Sequence, residues 1–318
     1  MTLAQIPRHL KQTLFIINPA SARGSTLRAW AVVRKQVVAA GVDFDEHVTA
    51  RSGAATEVAR EALRNGVTRI VSVGGDGTLS EVVNGYFDDA GRAINEAASI
   101  GLLPSGTGSD FQRSLGLTGH GDWIRALVSP RHRRIDAVRA EFVSRDGESD
   151  SRFFINVASF GLGGDASELV NRWRNTIPRW IGGRARFSAA AIAALGRYKN
   201  VAVSLRLDER EININSNLIV VANGRFAGGG MMLAPHAEMD DGLLDVIVTD
   251  GATRFDIVKE LPRIQRGKHL KNPKVNEMRT RDISINSVEP MAIDLDGEMV
   301  GFTPAHLEVL PSAVRFMG

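Results

Sequence analysis

An apolar run that collapses into glycine constrains this chain more than any other stretch. Arg69-Ile70-Val71-Ser72-Val73 is followed at once by Gly74-Gly75-Asp76-Gly77-Thr78, and an apolar-periodic segment then begins. The pattern predicts a buried strand, a glycine-rich turn and a helix N-terminus. Glycines in such a turn leave backbone N–H groups open to an anion, and the helix dipole favours negative charge at the same point. Phosphate is the ligand that suits it. Asp76 is then the exception, because a carboxylate repels phosphate. It fits if it handles Mg²⁺, a ribose or phosphate-bridging water, or a hydroxyl proton. As a helix N-cap it needs no ligand at all. The turn alone leaves both readings open.

The flanking sequence repeats the pattern. A short apolar strand over 13–17 ends in a loop of small residues, and a helix follows with Leu27, Trp30, Val33 and Val37 on one face. A second strand is expected over 43–49, a helix over 54–65 stopped by Gly66, and a fourth strand over 99–103. This alternation predicts a parallel, doubly wound α/β sheet. Such sheets build their sites from loops at the carboxyl ends of the strands. Asn18, Thr49, Gly74 to Thr78 and Thr107 all fall at such ends.

The pattern changes near Asp136. Short alternating strands are expected over 138–143, 152–158, 201–207, 217–222, 243–248, 282–285, 291–295 and 306–309, separated by turns such as Asp146-Gly147, Asp241-Gly242 and Asp296-Gly297. Helical insertions are expected around 167–198 and 254–266. This half reads as an antiparallel β domain of sandwich or barrel type. The expectation is a nucleotide-binding α/β domain over 1–136 and a β-rich domain over 137–318. The C-terminal tail is left free to return to the first domain, and the site is expected in the cleft between the two.

Composition narrows the class. A chain of 318 residues suits two domains or one large one. The net charge of +3 and pI near 9.4 suit a nucleotide or an anionic membrane surface. There is no cysteine, so thiolate chemistry and disulfides are excluded and a cytosolic site is compatible. Residues 1–12 have no secretory apolar region, and no run approaches the ~20 apolar residues of a membrane span. The expectation is a soluble or peripheral protein.

The sequence resembles the bacterial diacylglycerol kinase family, which is related to the sphingosine and ceramide kinases. The resemblance covers nearly the whole chain. It is carried by Asn18-Pro19, by Gly74-Gly75-Asp76-Gly77-Thr78 with Glu81 and Asn84-Gly85, and by Leu103-Pro104-Ser105-Gly106-Thr107. In the β-rich half it is carried by Asp241-Gly242-Leu243-Leu244-Asp245 and Asp296-Gly297-Glu298. Gly-Gly-Asp-Gly-Thr alone is shared with NAD kinases and phosphofructokinases. One residue departs from the family pattern: Ser109 stands where Asn is usual, and its shorter reach bears on nucleotide affinity.

The resemblance implies an ATP- and Mg²⁺-dependent lipid kinase acting on a lipid hydroxyl, first of all that of diacylglycerol, to give phosphatidate. A sphingoid base or ceramide is the alternative acceptor. A nucleotide-binding regulatory protein with little kinase activity is the alternative of another class. ATP would meet Asn18, Pro19, Ala20, Ser21, Ala22, Arg23, Gly24, Thr49, Gly74, Gly75, Asp76, Gly77, Thr78, Leu79, Ser80, Glu81 and Thr107. A Mg²⁺ would be held by the Asp241 carboxylate and the carbonyls of Glu238 and Leu243. Glu298 would be the base that accepts the hydroxyl proton, with Asp76 organising Mg·ATP and standing as the rival base. Asp110 and Asp136 are further acidic candidates. The segment 172–187 mixes arginines with Trp173, Trp180 and Phe187, as an anionic membrane surface requires; helices packed on the β domain explain it nearly as well. No nucleic-acid motif accompanies it. The expected setting is the inner face of the membrane, reached from the cytoplasm. A homodimer is left open.

Overall fold

The computed structural model describes residues 12–104, 110–117, 125–129, 131–173, 181–197 and 199–317; of Arg23 and Arg197 it describes the backbone alone. Thr107, Ser109, Arg174 and Trp180 therefore lie outside the described residues. The chain divides into two compact units. The first is Met1–Gln112, Gly116–Ile135 and Ser312–Gly318; the second is Arg113–Leu115 and Asp136–Pro311.

In the first unit, β1 (Thr13–Ile17), α1 (Thr26–Ala39), β2 (Asp45–Val48), α2 (Ala54–Arg64), β3 (Arg69–Gly74), α3 (Asp76–Tyr86), β4 (Ser99–Pro104) and α4 (Asp110–Ser114) alternate along the chain. The strands pair in parallel in the order β2-β1-β3-β4, and Phe316 adds a further parallel pairing with Ile100. Every residue of β1 is buried, as a central strand covered on both faces requires. At the edge, β2 is only half-buried. The inner stripe of α1 is narrower than its spacing suggests. Trp30 and Val37 are buried, but Leu27 is 44% exposed. The Trp30 indole fills the space itself, against Phe15 at 4.7 Å and Phe44 at 6.1 Å, and donates to Glu46 Oε2 at 3.0 Å.

The second unit carries β5 (His132–Ser144), β6 (Ser149–Phe154), β7 (Val157–Gly161), α5 (Leu162–Arg172), α6 (Gly183–Ala194), β8 (Val201–Leu207), β9 (Arg210–Ser216), β10 (Leu218–Ala222), β11 (Phe226–Ala227), β12 (Met231–Met232), β13 (Leu244–Thr249), α7 (Arg254–Ile264), β14 (Val275–Thr280), β15 (Asp282–Ser287), β16 (Ala292–Leu295) and β17 (Glu298–Met317), the first and last of which begin or end in the first unit. One path runs β14-β13-β10-β7-β16-β17, and β17 continues to β15-β8-β9 and to β5-β6. The ladders within this unit are antiparallel. Together the strands form a β-sandwich whose core includes Phe142, Phe154, Phe160, Leu205, Ile219, Val246, Ile285 and Leu307.

Strands β10 and β13 are buried on both faces. Ile219, Val221, Val246 and Val248 point into the sandwich; Val220, Ala222 and Ile247 join a second cluster on the opposite face. There α5, α6 and α7 supply further apolar clusters, so the unit has a helical layer over one sheet. Several sequence expectations are corrected. The strand expected over 152–158 is interrupted at Ile155 and Asn156, whose N–H groups turn to Asp296. Strands β9 and β14 escape notice because Asn, Glu and Arg lower their β propensity. β17 runs for 20 residues rather than four, its continuity disguised by Gly301, Pro304 and Pro311. Among the described residues no helix is long and apolar enough to cross a membrane.

Candidate active site

The strand order of the first unit reverses between β1 and β3, since β2 lies to one side of β1 and β3 to the other. A doubly wound sheet opens its ligand crevice at such a reversal, beyond the carboxyl ends of the strands. Asn18 follows β1 and Gly75 follows β3, so the two motifs meet there. The Asn18 N–H donates to Val73 O at 3.0 Å, and its Nδ2 donates to Thr78 Oγ1 at 3.1 Å. Asn18 Oδ1 accepts from Ala20 N at 3.0 Å. Ser21 Oγ donates to Asn18 O and meets Thr26 Oγ1, which ties the loop through Pro19, Ala20, Ser21, Ala22, Arg23 and Gly24 to the start of α1. Ala22 and Gly24 have left-handed φ of 47° and 83°. Thr49 is placed at the end of β2, buried, with its hydroxyl on Ile17 O at 3.3 Å.

The three glycines of the turn differ in what they need. A Cβ on Gly74 would lie 2.4 Å from Thr78 Oγ1, so close packing alone excludes one. Gly75 and Gly77 have open space where a Cβ would stand, and neither has a left-handed φ. Among the described residues nothing requires glycine at these two places; bare backbone there leaves its N–H groups accessible to an anion. Asp76 opens α3, and its Oδ2 accepts the N–H of Asp110 at 2.9 Å, which joins the turn to α4. Thr78 and Leu79 are buried. Ser80 O accepts from Asn84 Nδ2 at 2.8 Å. The Glu81 carboxylate accepts the N–H of Ala55 at 3.0 Å and lies within 3.4 Å of Ser52 Oγ, so it neutralises the N-terminus of α2.

In the second unit, the Asp296-Gly297 turn joins β16 to β17. Asp296 takes a left-handed φ of 51°, and its carboxylate collects the N–H groups of Ile155, Asn156 and Val157 at 3.0–3.1 Å. That triple anchor fixes the backbone from which Glu298 projects. Glu298 is half-exposed, 3.4 Å from Arg152 Nη1, in an open polar recess with Arg145, Glu168, Asn171 and Arg172. Sequence reasoning misses Arg152, because an arginine on a two-sided hairpin strand carries no motif. It also misses Asp294, buried beneath the same turn.

Burial pushes the Asp294 carboxyl up to about 6, against the hydrogen bonds from Ser167 and the Gly297 N–H, with Glu298 adding to the rise. A folded pKa above the unfolded one favours the native state below about pH 4, and that advantage is lost as pH rises through about 6. Asp294→Asn is therefore expected to flatten the fall in thermal stability between about pH 4 and pH 6, an effect on the order of 2–3 kcal/mol. Parallel melts of parent and variant across that window are the check; superimposable pH profiles would remove Asp294 as their source.

Asp241 stands in the turn before β13. Its Oδ1 accepts from Leu243 N at 3.0 Å, and Oδ2 pairs with Arg279. The neighbouring Gly242 N–H donates to the buried Asp136 at 2.7 Å. Asp245 is 1% exposed, and neither of its carboxylate oxygens has a hydrogen-bond partner. Burial pushes its carboxyl up to about 6, with Glu277 and Asp241 adding to the rise against Arg279. Glu238 also acts on Arg279. Asp245 Oδ1 lies 3.5 Å from Arg279 Nε, and His236 pairs with Glu277 at 2.8 Å, so Asp241 and Asp245 share one guanidinium; the unpartnered buried Asp245 oxygens are the feature here that a hard cation would suit. Among the described residues no three His, Cys, Asp or Glu side chains are arranged to hold a metal.

Comparison with known proteins gives two family matches. The diacylglycerol kinase catalytic domain matches residues 12–140, and the YegS C-terminal NAD kinase beta sandwich-like domain matches residues 156–318. A diacylglycerol kinase of Staphylococcus saprophyticus is 27% identical, over 93% of this chain and 92% of its own. A probable lipid kinase, YegS-like, of Chromohalobacter salexigens is 29% identical over 96% and 93%. The fold is shared with a crystal structure of a putative diacylglycerol kinase from Bacillus anthracis, with a TM-score of 0.76, 22% identity and 97% of each chain covered.

Proposed function

We propose an acceptor and a set of residue roles on one premise: the chain belongs to the lipid kinase family built on the diacylglycerol kinase catalytic domain. The chain is a lipid kinase. The proposed reaction moves the γ-phosphoryl group of ATP to the hydroxyl of diacylglycerol, giving phosphatidate. One observation carries the lipid half of this reading. The second unit has a partly open apolar cavity of about 90 Å³ between the outer face of its sheet and its helical layer. Val220 and Ile247 line it from the sheet, Leu162 and Ala166 from α5, Ala191 from α6, and Ile257 from α7. Its lining favours hydrocarbon over a sugar or nucleotide, although the volume as it stands takes only a short stretch of a chain. The same helix α5 reaches the Glu298 recess with Glu168, Asn171 and Arg172.

The roles follow from chemistry already described. The backbone at Gly75 to Thr78 and the loop from Asn18 receive the phosphates, with Asn18 fixing Thr78. Mg²⁺, when bound with ATP, would screen the charge on the phosphates. Asp76 is placed to orient that complex. A second cation would be held at Asp241 with the carbonyls of Glu238 and Leu243, where it would brace the turn before β13. Glu298 accepts the hydroxyl proton as the lipid oxygen bonds to phosphorus and the bond to the ADP oxygen breaks. Arg152, 3.4 Å away, directs the Glu298 carboxylate. Most of the rate enhancement in such a transfer comes from positioning and charge stabilisation.

Reaching diacylglycerol requires working at a membrane, and we place the protein peripherally on its inner face. The test is a panel of dispersed acceptors, diacylglycerol, ceramide and a sphingoid base, each with ATP and Mg²⁺. The expected result is phosphorylation of diacylglycerol in clear excess over the others. Preferential phosphorylation of ceramide or the sphingoid base would replace the acceptor and leave the residue roles standing.

A further inference from the structure

Helix α7 is two-faced in a way the reaction does not require. Asp256, Ile257, Glu260, Leu261 and Ile264 turn inward and line the apolar cavity. The opposite face carries Phe255, 75% exposed, and Val258, 42% exposed, with Pro262 also exposed between them and the end of the helix. At 100° per residue these three fall within one quadrant. A large aromatic held this far into solvent costs free energy unless something covers it.

The charges around this apolar strip are of one sign. Between residues 254 and 271 stand six basic residues, Arg254, Lys259, Arg263, Arg266, Lys268 and Lys271, and all six are exposed. The stretch has two acidic residues, and both are engaged. Asp256 pairs with Lys274 at 2.7 Å and closes the capping box with Thr253; Glu260 is buried and accepts from Arg263 and Asn272 at 3.1 Å. The outward face is therefore basic around a Phe–Val–Pro strip, and within residues 254–271 no exposed carboxylate interrupts it.

We infer that the outer face of α7 is a docking surface for an anionic lipid bilayer, with Phe255 and Val258 entering the interface and the surrounding Lys and Arg meeting phosphate head groups. Charge complementarity selects this occupant: a helix with an apolar strip and a basic surround lies in a membrane interface, and anionic lipid supplies the matching field. The cavity beneath the same helix adds a reason for the placement. A helix that lines an apolar cavity on one face and meets the bilayer with the other sets that cavity next to the source of the chain. The inference rests on the lipid kinase reading for its purpose, but not for its test.

The test is sedimentation of the full-length protein with vesicles, without ATP. Vesicles containing phosphatidylglycerol are compared with pure phosphatidylcholine, at low and high salt. The expected result is binding to anionic vesicles that salt weakens, and little to neutral ones. Phe255→Ser with Val258→Ser, and separately Lys259→Glu with Arg266→Glu, are expected to weaken anionic binding about tenfold or more. Both pairs are exposed, so their melting temperatures should match the parent. Hydrogen exchange adds a readout independent of variants: vesicles should protect amides of 254–266. Unchanged binding by both double variants, or vesicle binding without protection at 254–266, overturns the docking surface. Activity on detergent-dispersed, short-chain diacylglycerol separates the two readings. If it persists in the variants while vesicle activity falls, docking stands. If the parent lacks it, the acceptor assignment fails and the vesicle result is unaffected.

Discussion

Glu298→Ala is expected to abolish lipid phosphorylation while leaving ATP binding within about twofold of the parent. The loss in turnover should reach about 10²–10⁴-fold, the range for removing a general base. The structure separates this effect from unfolding. Glu298 is half-exposed, so its truncation creates no cavity, and its ion pair with Arg152 at 3.4 Å is open to solvent. The turn itself is held by Asp296, whose three backbone partners remain. The thermal melt should therefore move little. Steady-state turnover, calorimetric ATP affinity and melting temperature together make the check. Near-normal turnover would pass the role of base to Asp76, and a collapsed melt would make Glu298 part of the fold.

Gly75→Val is expected to cost ATP affinity and not stability. Gly75 lies at φ −102° and ψ −171°, extended backbone that any residue adopts, and among the described residues no atom beyond its chain neighbours lies within 4 Å of where its Cβ would stand. The free protein has room for the larger side chain. A phosphate resting on this turn would not, and would lose hydrogen bonds of its charged oxygens worth roughly 2–3 kcal/mol, about 10²-fold in affinity. Gly74→Ala is the contrasting variant. Its Cβ would press on Thr78 Oγ1, which the core holds, so about 1–3 kcal/mol of stability should go instead. A Gly75→Val protein that binds ATP as tightly as the parent would move the phosphates away from this turn.

The first unit was legible because its signals are local. The strand, turn and helix over 69–86 follow from one apolar run, adjacent glycines and one periodic segment, and the same logic finds β1, β4 and α2. Parallel pairing follows from the alternation of strand and helix. What the sequence hides is what depends on distant partners. Glu81 resembles a motif residue, yet its carboxylate answers the N-terminus of α2, a partner 26 positions away. Leu27 fits the helical stripe, but the neighbouring Trp30 indole occupies the space it would fill. β9 and β14 pair through ladders that polar side chains conceal, and β17 is sustained across two prolines and a glycine by neighbours on several strands. Asp294 and Asp245 read as ordinary turn-flanking carboxylates; only burial makes them costly. The cavity had one trace in the sequence, the all-apolar stretches of β10 and β13, which imply cover on both faces.

Transfer of the γ-phosphoryl group to a lipid hydroxyl is seen most plainly by following a label. The protein is incubated with γ-labelled ATP, Mg²⁺ and vesicles of a total lipid extract, and the organic phase is resolved by mass. The label is expected in a lipid phosphomonoester, chiefly phosphatidate, and should be lost with Glu298→Ala. Label confined to ATP and inorganic phosphate, with no labelled lipid, would contradict it.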